Sequence, residues 1–140
     1  PDEPLMLSYL IDESVPRHKA GIIRDGFTEN DPAVNVRALH VSQVLSLALH
    51  STHLSGIKSL AIAGGGAKNL FLRQLISDIF QCETFCLSDE SYTAAIGCAI
   101  SAASMKMARI DKSTILKPSN NNKPVINKLL DRYKTLENLN

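Results

Sequence analysis

Apolar and polar residues change rhythm several times along the chain, and each change marks an element. Leu5-Met6-Leu7-Ser8-Tyr9-Leu10-Ile11 is apolar enough for a short buried strand or a helical turn, and periodicity does not choose between them. The stretch lies in residues 1–33, which read as an irregular lead-in rich in proline (Pro1, Pro4, Pro16, Pro32). Its end, Arg24 to Pro32, is a loop punctuated by Asp25-Gly26 and Asp31-Pro32. From Asp31 the pattern turns helical. Asp31 suits an N-cap and Pro32 the first helical position. Val36, Leu39, Val44 and Leu47 recur on one face, widened by Val41, Leu45 and Leu49. A helix to about His53 is predicted, stopped by Ser55-Gly56, and apolar enough around its girth to lie inside the domain.

Ile57 to Ala63 reads as a buried strand running into Gly64-Gly65-Gly66. A second helix follows from Lys68 to Phe80, with Leu72, Leu75, Ile76 and Ile79 inward and Lys68, Arg73 and Asp78 away. Glu83 to Leu87 is strand-like. Ser88, Asp89 or Ser91 then caps a third helix to about Met107. Strand–helix–strand–helix order predicts an α/β layer with parallel strands. Residues 34–108 therefore form the core, and 109–124 a polar linker. Residues 125–140 hold a C-terminal helix, with Val125, Leu129, Tyr133 and Leu136 on one stripe.

Composition narrows the classes. A chain of 140 residues, 44% hydrophobic, has the size of one domain and can bury a core. Fifteen basic residues against 14 acidic leave a net charge of +1, which argues against a nucleic-acid partner as well as an acidic tail. Cys82, Cys86 and Cys98 are too few and odd in number for a secreted disulfide framework. No run approaches the ~20 apolar residues of a membrane span, and Pro1-Asp2-Glu3-Pro4 is no signal-peptide start. A cytoplasmic, soluble setting with no membrane partner is expected. Beginning without Met, the chain reads as a piece of something longer.

The chemistry concentrates at Ala63-Gly64-Gly65-Gly66-Ala67-Lys68-Asn69. Adjacent glycines after a strand let the backbone approach a ligand closely, and a helix start offers unpaired amides to a phosphate. A plain strand-to-helix turn is the competing account. Lys68 would neutralise a phosphate or simply be solvated. A dinucleotide fingerprint lacks its third glycine here, because Asn69 stands in that place, although Asp89 or Glu90 falls where a ribose-binding acid would sit. A Walker loop is excluded by the missing Gly-Lys-Ser/Thr ending.

Other features carry less. Small residues from Thr93 to Ala103 suit close helix packing, with Gly97 at the nearest approach. His50 and His53 lack a third ligand at metal spacing, and Cys82 and Cys86 read as buried small hydrophobes. No metal site and no Ser-His-Asp or Cys-His set can be picked out.

Ala63-Gly64-Gly65-Gly66-Ala67-Lys68-Asn69, then Gln74, Asp78-Ile79 and Tyr92-Thr93-Ala94-Ala95-Ile96-Gly97-Cys98-Ala99, closely resembles the C-terminal half of FGGY carbohydrate kinases. Val36-Arg37-Ala38-Leu39 with Gln43 resembles the long helix before the glycine strand in the xylulokinase form. The specific likeness runs from about Val34 to Ala103. Leu72 stands where the family often has Trp, Val41 where it has an acid, and Ser42 where it has Gly.

The resemblance implies the ribonuclease-H-like, actin-like ATPase fold, here its C-terminal part with an incomplete sheet. It implies ATP with Mg2+, bound with Gly65 and Gly66 near the phosphates, Gly64 shaping the turn and Asn69 contacting the nucleotide. Such kinases phosphorylate a sugar, for the xylulokinase-like members a ketopentose such as D-xylulose. The family's catalytic aspartate and sugar contacts lie upstream of the matched region, so no catalytic residue is assigned and the isolated chain is expected to be inactive. A Rossmann-like oxidoreductase domain binding NAD and a non-catalytic assembly module are the other classes. Two strands alone would leave an edge open, so partner strands from a missing segment or a homo-oligomer are expected to cover it.

Overall fold

The computed structural model describes residues 2–14, 17–54, 56–86, 98–99, 101–103, 115–119 and 123–138. Two compact units share the chain: Pro1–Ser55 together with Asn122–Asn140, and Gly56–Asn121. The second is thus inserted into the first.

In the first unit, the lead-in holds more order than its prolines announce. Strand β1 (Leu5–Tyr9) pairs antiparallel with β4 (Gly21–Asp25), in register from Leu5↔Asp25 to Tyr9↔Gly21. Between them β2 (Glu13–Ser14) and β3 (Arg17–His18) make a two-residue ladder. Continuous burial of Leu5, Met6 and Leu7 resolves the ambiguity of that apolar run in favour of a strand. Helix α1 (Pro32–His50) starts as its sequence dictates: the Asp31 side chain accepts from the Val34 N–H, and Pro32 occupies the first turn. It ends three residues before the expected His53, because the backbone leaves helical geometry at Ser51 and Thr52–Leu54 form a separate 3-10 turn.

Helix α1 is not buried all round. Ala38, Val41, Ser42, Val44 and Leu45 face inward, whereas Val36 and Leu47 are 57% and 49% exposed. The inward face follows the i, i+3, i+4, i+7 spacing, and hydrophobicity outside it was no sign of contact. Ser42 Oγ accepts the Met6 N–H at 2.7 Å, so the helix satisfies a donor of β1. The C-terminal helix (Lys123–Glu137) inserts Tyr133 and Leu136 into the same core, while Val125, the outer end of its predicted stripe, is exposed. Arg132 ties this helix down, donating to Asp25 Oδ2 at 2.6 Å and the Glu3 carbonyl at 3.0 Å.

The last turn carries a buried carboxylate. Glu137 receives the Tyr9 hydroxyl at 3.2 Å, and its two oxygens lie 3.0 and 3.1 Å from His50 Nε2. His18, stacked on Tyr9, comes within 3.6 Å. Burial, then neighbouring Tyr133 and Glu137, push the Tyr9 phenol well above its ordinary value, and burial raises Tyr133 too. Unfolded tyrosines ionise near pH ~10 while the folded ones hold their protons longer, so this stabilisation is complete below that pH and lost as pH climbs past it. Denaturation midpoints should therefore fall above pH ~10, with tyrosinate absorbance appearing late in the folded chain. Ordinary tyrosine titration without loss of structure would contradict the arrangement.

In the second unit, β5 (Ser59–Ile62) and β6 (Glu83–Cys86) pair in parallel, joined by helix α2 (Leu70–Phe80). The predicted strand–helix–strand unit is present with tighter bounds. The expected start of α2 at Lys68 moves to Leu70, because Gly65–Lys68 form a 3-10 turn and Asn69 caps the α-helix. Gln81 ends it in the left-handed conformation. Arg73, expected to point away, is only 4% exposed, and Ser77 is buried beside it. The inward face of α2 is rotated from its apolar stripe, leaving Leu72, Leu75 and Ile76 half-buried.

The outer edge of β6 is met by the chain itself, through a bridge between Thr84 and Leu116 in the expected linker. The described strands form two-stranded sheets only. Residues 98–99 and 101–102 are helical and exposed, with Ala103 in a turn after them, and the remainder of the predicted third helix, with Gly97, as well as Asp89 and Glu90, lies outside the described residues.

Candidate functional site

The glycine turn stands at the C-terminal end of β5, where open α/β sheets gather ligands. Gly64 carries the conformational burden. Its φ of 86° and ψ of −175° belong to a region open essentially to glycine alone. Gly65 and Gly66 have no such requirement, but they are exposed. A Cβ at Gly65 would meet no atom within 4 Å, so its backbone faces open space, while one at Gly66 would come 3.3 Å from Leu72 Cδ2.

The Ala67 N–H donates to the Gly64 carbonyl and the Asn69 N–H to that of Gly66, each at 3.0 Å. The 3-10 bonding begins at Ala67, so the Gly65 and Gly66 amides precede the first bond of that turn and have no acceptor within it. Amides presented this way are suited to an anion.

Asn69 has a structural duty. Its Oδ1 accepts the Leu72 N–H at 3.2 Å as the N-cap of α2, which leaves its side-chain NH2 as the group able to donate outward. Lys68 is exposed in the same turn. The structure therefore brings Gly64, Gly65, Gly66 and Asn69 together within one turn, with Ala67 as its buried floor.

Neighbouring side chains bind the turn to its sheet. The Cys86 thiol, at the end of β6, donates to the Ala67 carbonyl at 3.4 Å. Cys82 is buried and its thiol is pushed up by that burial, as suits a small hydrophobe. The turn contains no carboxylate. Among the described residues, no group of three or more His, Cys, Asp or Glu could hold a metal ion. His50 is engaged with Glu137 in the first unit.

Gln74 and Asp78, present in the sequence motif but given no task there, tie α2 to residues 115–119 through the hydrogen bonds described below. Their i, i+4 spacing on a helix was the available signal. Buried Arg73 had none.

A sequence model of the FGGY family of carbohydrate kinases, C-terminal domain, matches residues 7–105. No curated protein sequence matches the chain. Among solved structures, a ligand-bound xylulose kinase from Lactobacillus acidophilus is similar over 97% of this chain and 31% of its own, at 20% identity and a TM-score of 0.73. A gluconate kinase from the same organism aligns over 98% of this chain and 31% of its own, at 21% identity and a TM-score of 0.72. A xylulose kinase from Rhodospirillum rubrum covers 96% of this chain and 30% of its own, with 18% identity and a TM-score of 0.65. This chain thus spans under a third of the length of these kinases and shares their actin-like fold, with small partial sheets.

Proposed function

Because the chain belongs to the FGGY family of carbohydrate kinases, as its C-terminal domain, we propose that its glycine turn holds the phosphates of ATP. The observation that carries the reading is the exposed Gly65-Gly66 backbone at the end of β5, held open by the special geometry of Gly64. Gly65 and Gly66 approach the phosphates, and the Asn69 NH2 reaches the nucleotide from the helix start. The turn offers no carboxylate, so magnesium comes to it on the phosphate oxygens with its own waters.

ATP–Mg supplies the transferable phosphoryl group; this chain's part is to bind and orient it. The acceptor in our reading is a ketopentose such as D-xylulose, and the base that takes its hydroxyl proton belongs to the rest of such a kinase. The names of the similar xylulose kinases support that choice, and the similar gluconate kinase names the competing acceptor. We read the setting as cytoplasmic, where ATP is at hand. No described helix is long and apolar enough to cross a membrane. No described strand pairs with the outer edge of β5, and self-association or partner strands from outside this chain would cover it.

Calorimetric titration of the whole chain separates the classes. ATP–Mg should bind and raise thermal stability, whereas NAD should not. Phosphoryl transfer to D-xylulose should be absent from this chain alone. Preferential binding of NAD would replace the kinase reading with that of an oxidoreductase domain, and no shift with either nucleotide would leave a packing module.

A further inference from the structure

We propose that Gln74 and Asp78 are positioning residues for the glycine turn, acting through residues 115–119, which they clasp against β6. This rests on the reading of the turn as a phosphate site.

The two side chains sit one helical turn apart on α2 and share one hydrogen-bond set that converges on Asp78 Oδ1. Gln74 Nε2 donates to Asp78 Oδ1 at 3.1 Å and to the Lys117 carbonyl at 2.8 Å, one acceptor for each amide hydrogen. Asp78 Oδ1 also accepts the Ser119 N–H at 2.6 Å and the Ser119 hydroxyl at 2.8 Å. Hydrogen bonds to a charged acceptor are the stronger kind. Held this way, the segment lays Leu116 beside Thr84, where the two residues exchange backbone hydrogen bonds of 2.9 Å each. The exposed Lys117–Glu83 pair at 3.5 Å adds little.

β6 carries the effect to the turn. Thr84, fully buried in the middle of the strand, donates its hydroxyl to the Arg73 carbonyl of α2 at 3.4 Å. Two residues further on, the Cys86 thiol meets the Ala67 carbonyl inside the glycine turn. One edge of β6 is paired with β5 and the other is held by the clasp, so its end is fixed against the turn. Opening the clasp leaves β6 a free edge and lets the Cys86–Ala67 contact drift. Neither Gln74 nor Asp78 is in the turn, so each acts at a distance through β6 rather than on the nucleotide.

Amide NMR spectra of the whole 140-residue chain, with and without ATP–Mg, test this. In Asp78→Ala, the Ser119 and Leu116 amides should lose exchange protection. The Gly65 and Gly66 resonances should also shift before any nucleotide is added, and ATP–Mg affinity should fall about tenfold, within the range of couplings between separated sites. Asp78→Asn keeps one acceptor oxygen and should restore the glycine resonances and most of the affinity, which a general loss of stability would not allow. Ser119→Ala removes only the hydroxyl contact at an exposed residue; it should give a smaller shift of the same glycines even if Asp78→Ala does not fold. Released Ser119 and Leu116 amides with unmoved glycine resonances would overturn the proposal, and so would a clasp that stays protected in Asp78→Ala. If the unaltered chain binds no ATP–Mg, the phosphate reading fails, while the glycine shifts still decide whether the clasp positions the turn.

Discussion

Gly64→Val is expected to abolish ATP–Mg binding and to cost the fold about 1–3 kcal/mol, the usual charge for a residue held in a sparsely allowed conformation. The space around Gly64 is not the reason, since a Cβ there would meet no atom within 4 Å. The reason is its φ of 86° with ψ near 180°, which a β-branched side chain resists most. Gly65→Ala provides the contrast. Gly65 has no positive φ and no crowding, so the substitution should leave the urea midpoint unchanged. Its new methyl group would nevertheless stand where phosphate oxygens approach, weakening ATP–Mg about tenfold, or ~1.4 kcal/mol. If both variants bind as tightly as the original chain, the phosphate does not lie on this turn. If Gly65→Ala loses stability and affinity together, the contrast fails.

Glu137→Ala should be the most damaging change of a polar residue in the first unit, at about 1–3 kcal/mol by urea unfolding. The carboxylate side chain is only 7% exposed and receives groups from β1, α1 and, at longer range, β3. Its removal strips the Tyr9 hydroxyl of its carboxylate acceptor, leaving it Tyr133, and unpairs His50 while leaving a gap under the last turn of the C-terminal helix. Glu137→Gln retains an acceptor oxygen and should cost visibly less. A double substitution of Glu137 and His50 should be less than additive, because the two share one interaction. Additive losses would mean that the His50 contact contributes nothing to stability.

The strand–turn–helix–strand at the centre was legible because its signals are local. Three glycines interrupt an apolar run, Asp31 and Asn69 are good caps, and the apolar lengths match short parallel strands. What escaped was set by distant partners. The β1–β4 pairing depends on a register between residues well apart in sequence, which the prolines scattered through residues 1–33 obscured. The inward turn of Arg73 runs against its own polarity and depends on where β6 passes. The linker looked unstructured because Leu116 and Ser119 have no pattern of their own; their order is borrowed from Thr84 and Asp78. Within the site, the glycines were readable as a turn, but the division of labour was not. Only backbone angles separate Gly64, which must be glycine, from Gly65, which need not be for folding.

The insertion of one unit into the other also sets an order of events during synthesis. Tyr9 and its partner Glu137 stand 128 positions apart, and the core of the first unit lacks Tyr133 and Leu136 until the C-terminal helix has been made. The inserted unit closes on near neighbours, with Ser59 through Cys86 forming strand, helix and strand in one short span. Loop closure favours such local contacts, so the glycine turn should take shape on the ribosome while β1, β4 and α1 still wait for their last helix. A stalled nascent chain ending before Lys123 would then carry a protease-resistant inner segment flanked by an N-terminal stretch that is still cleaved.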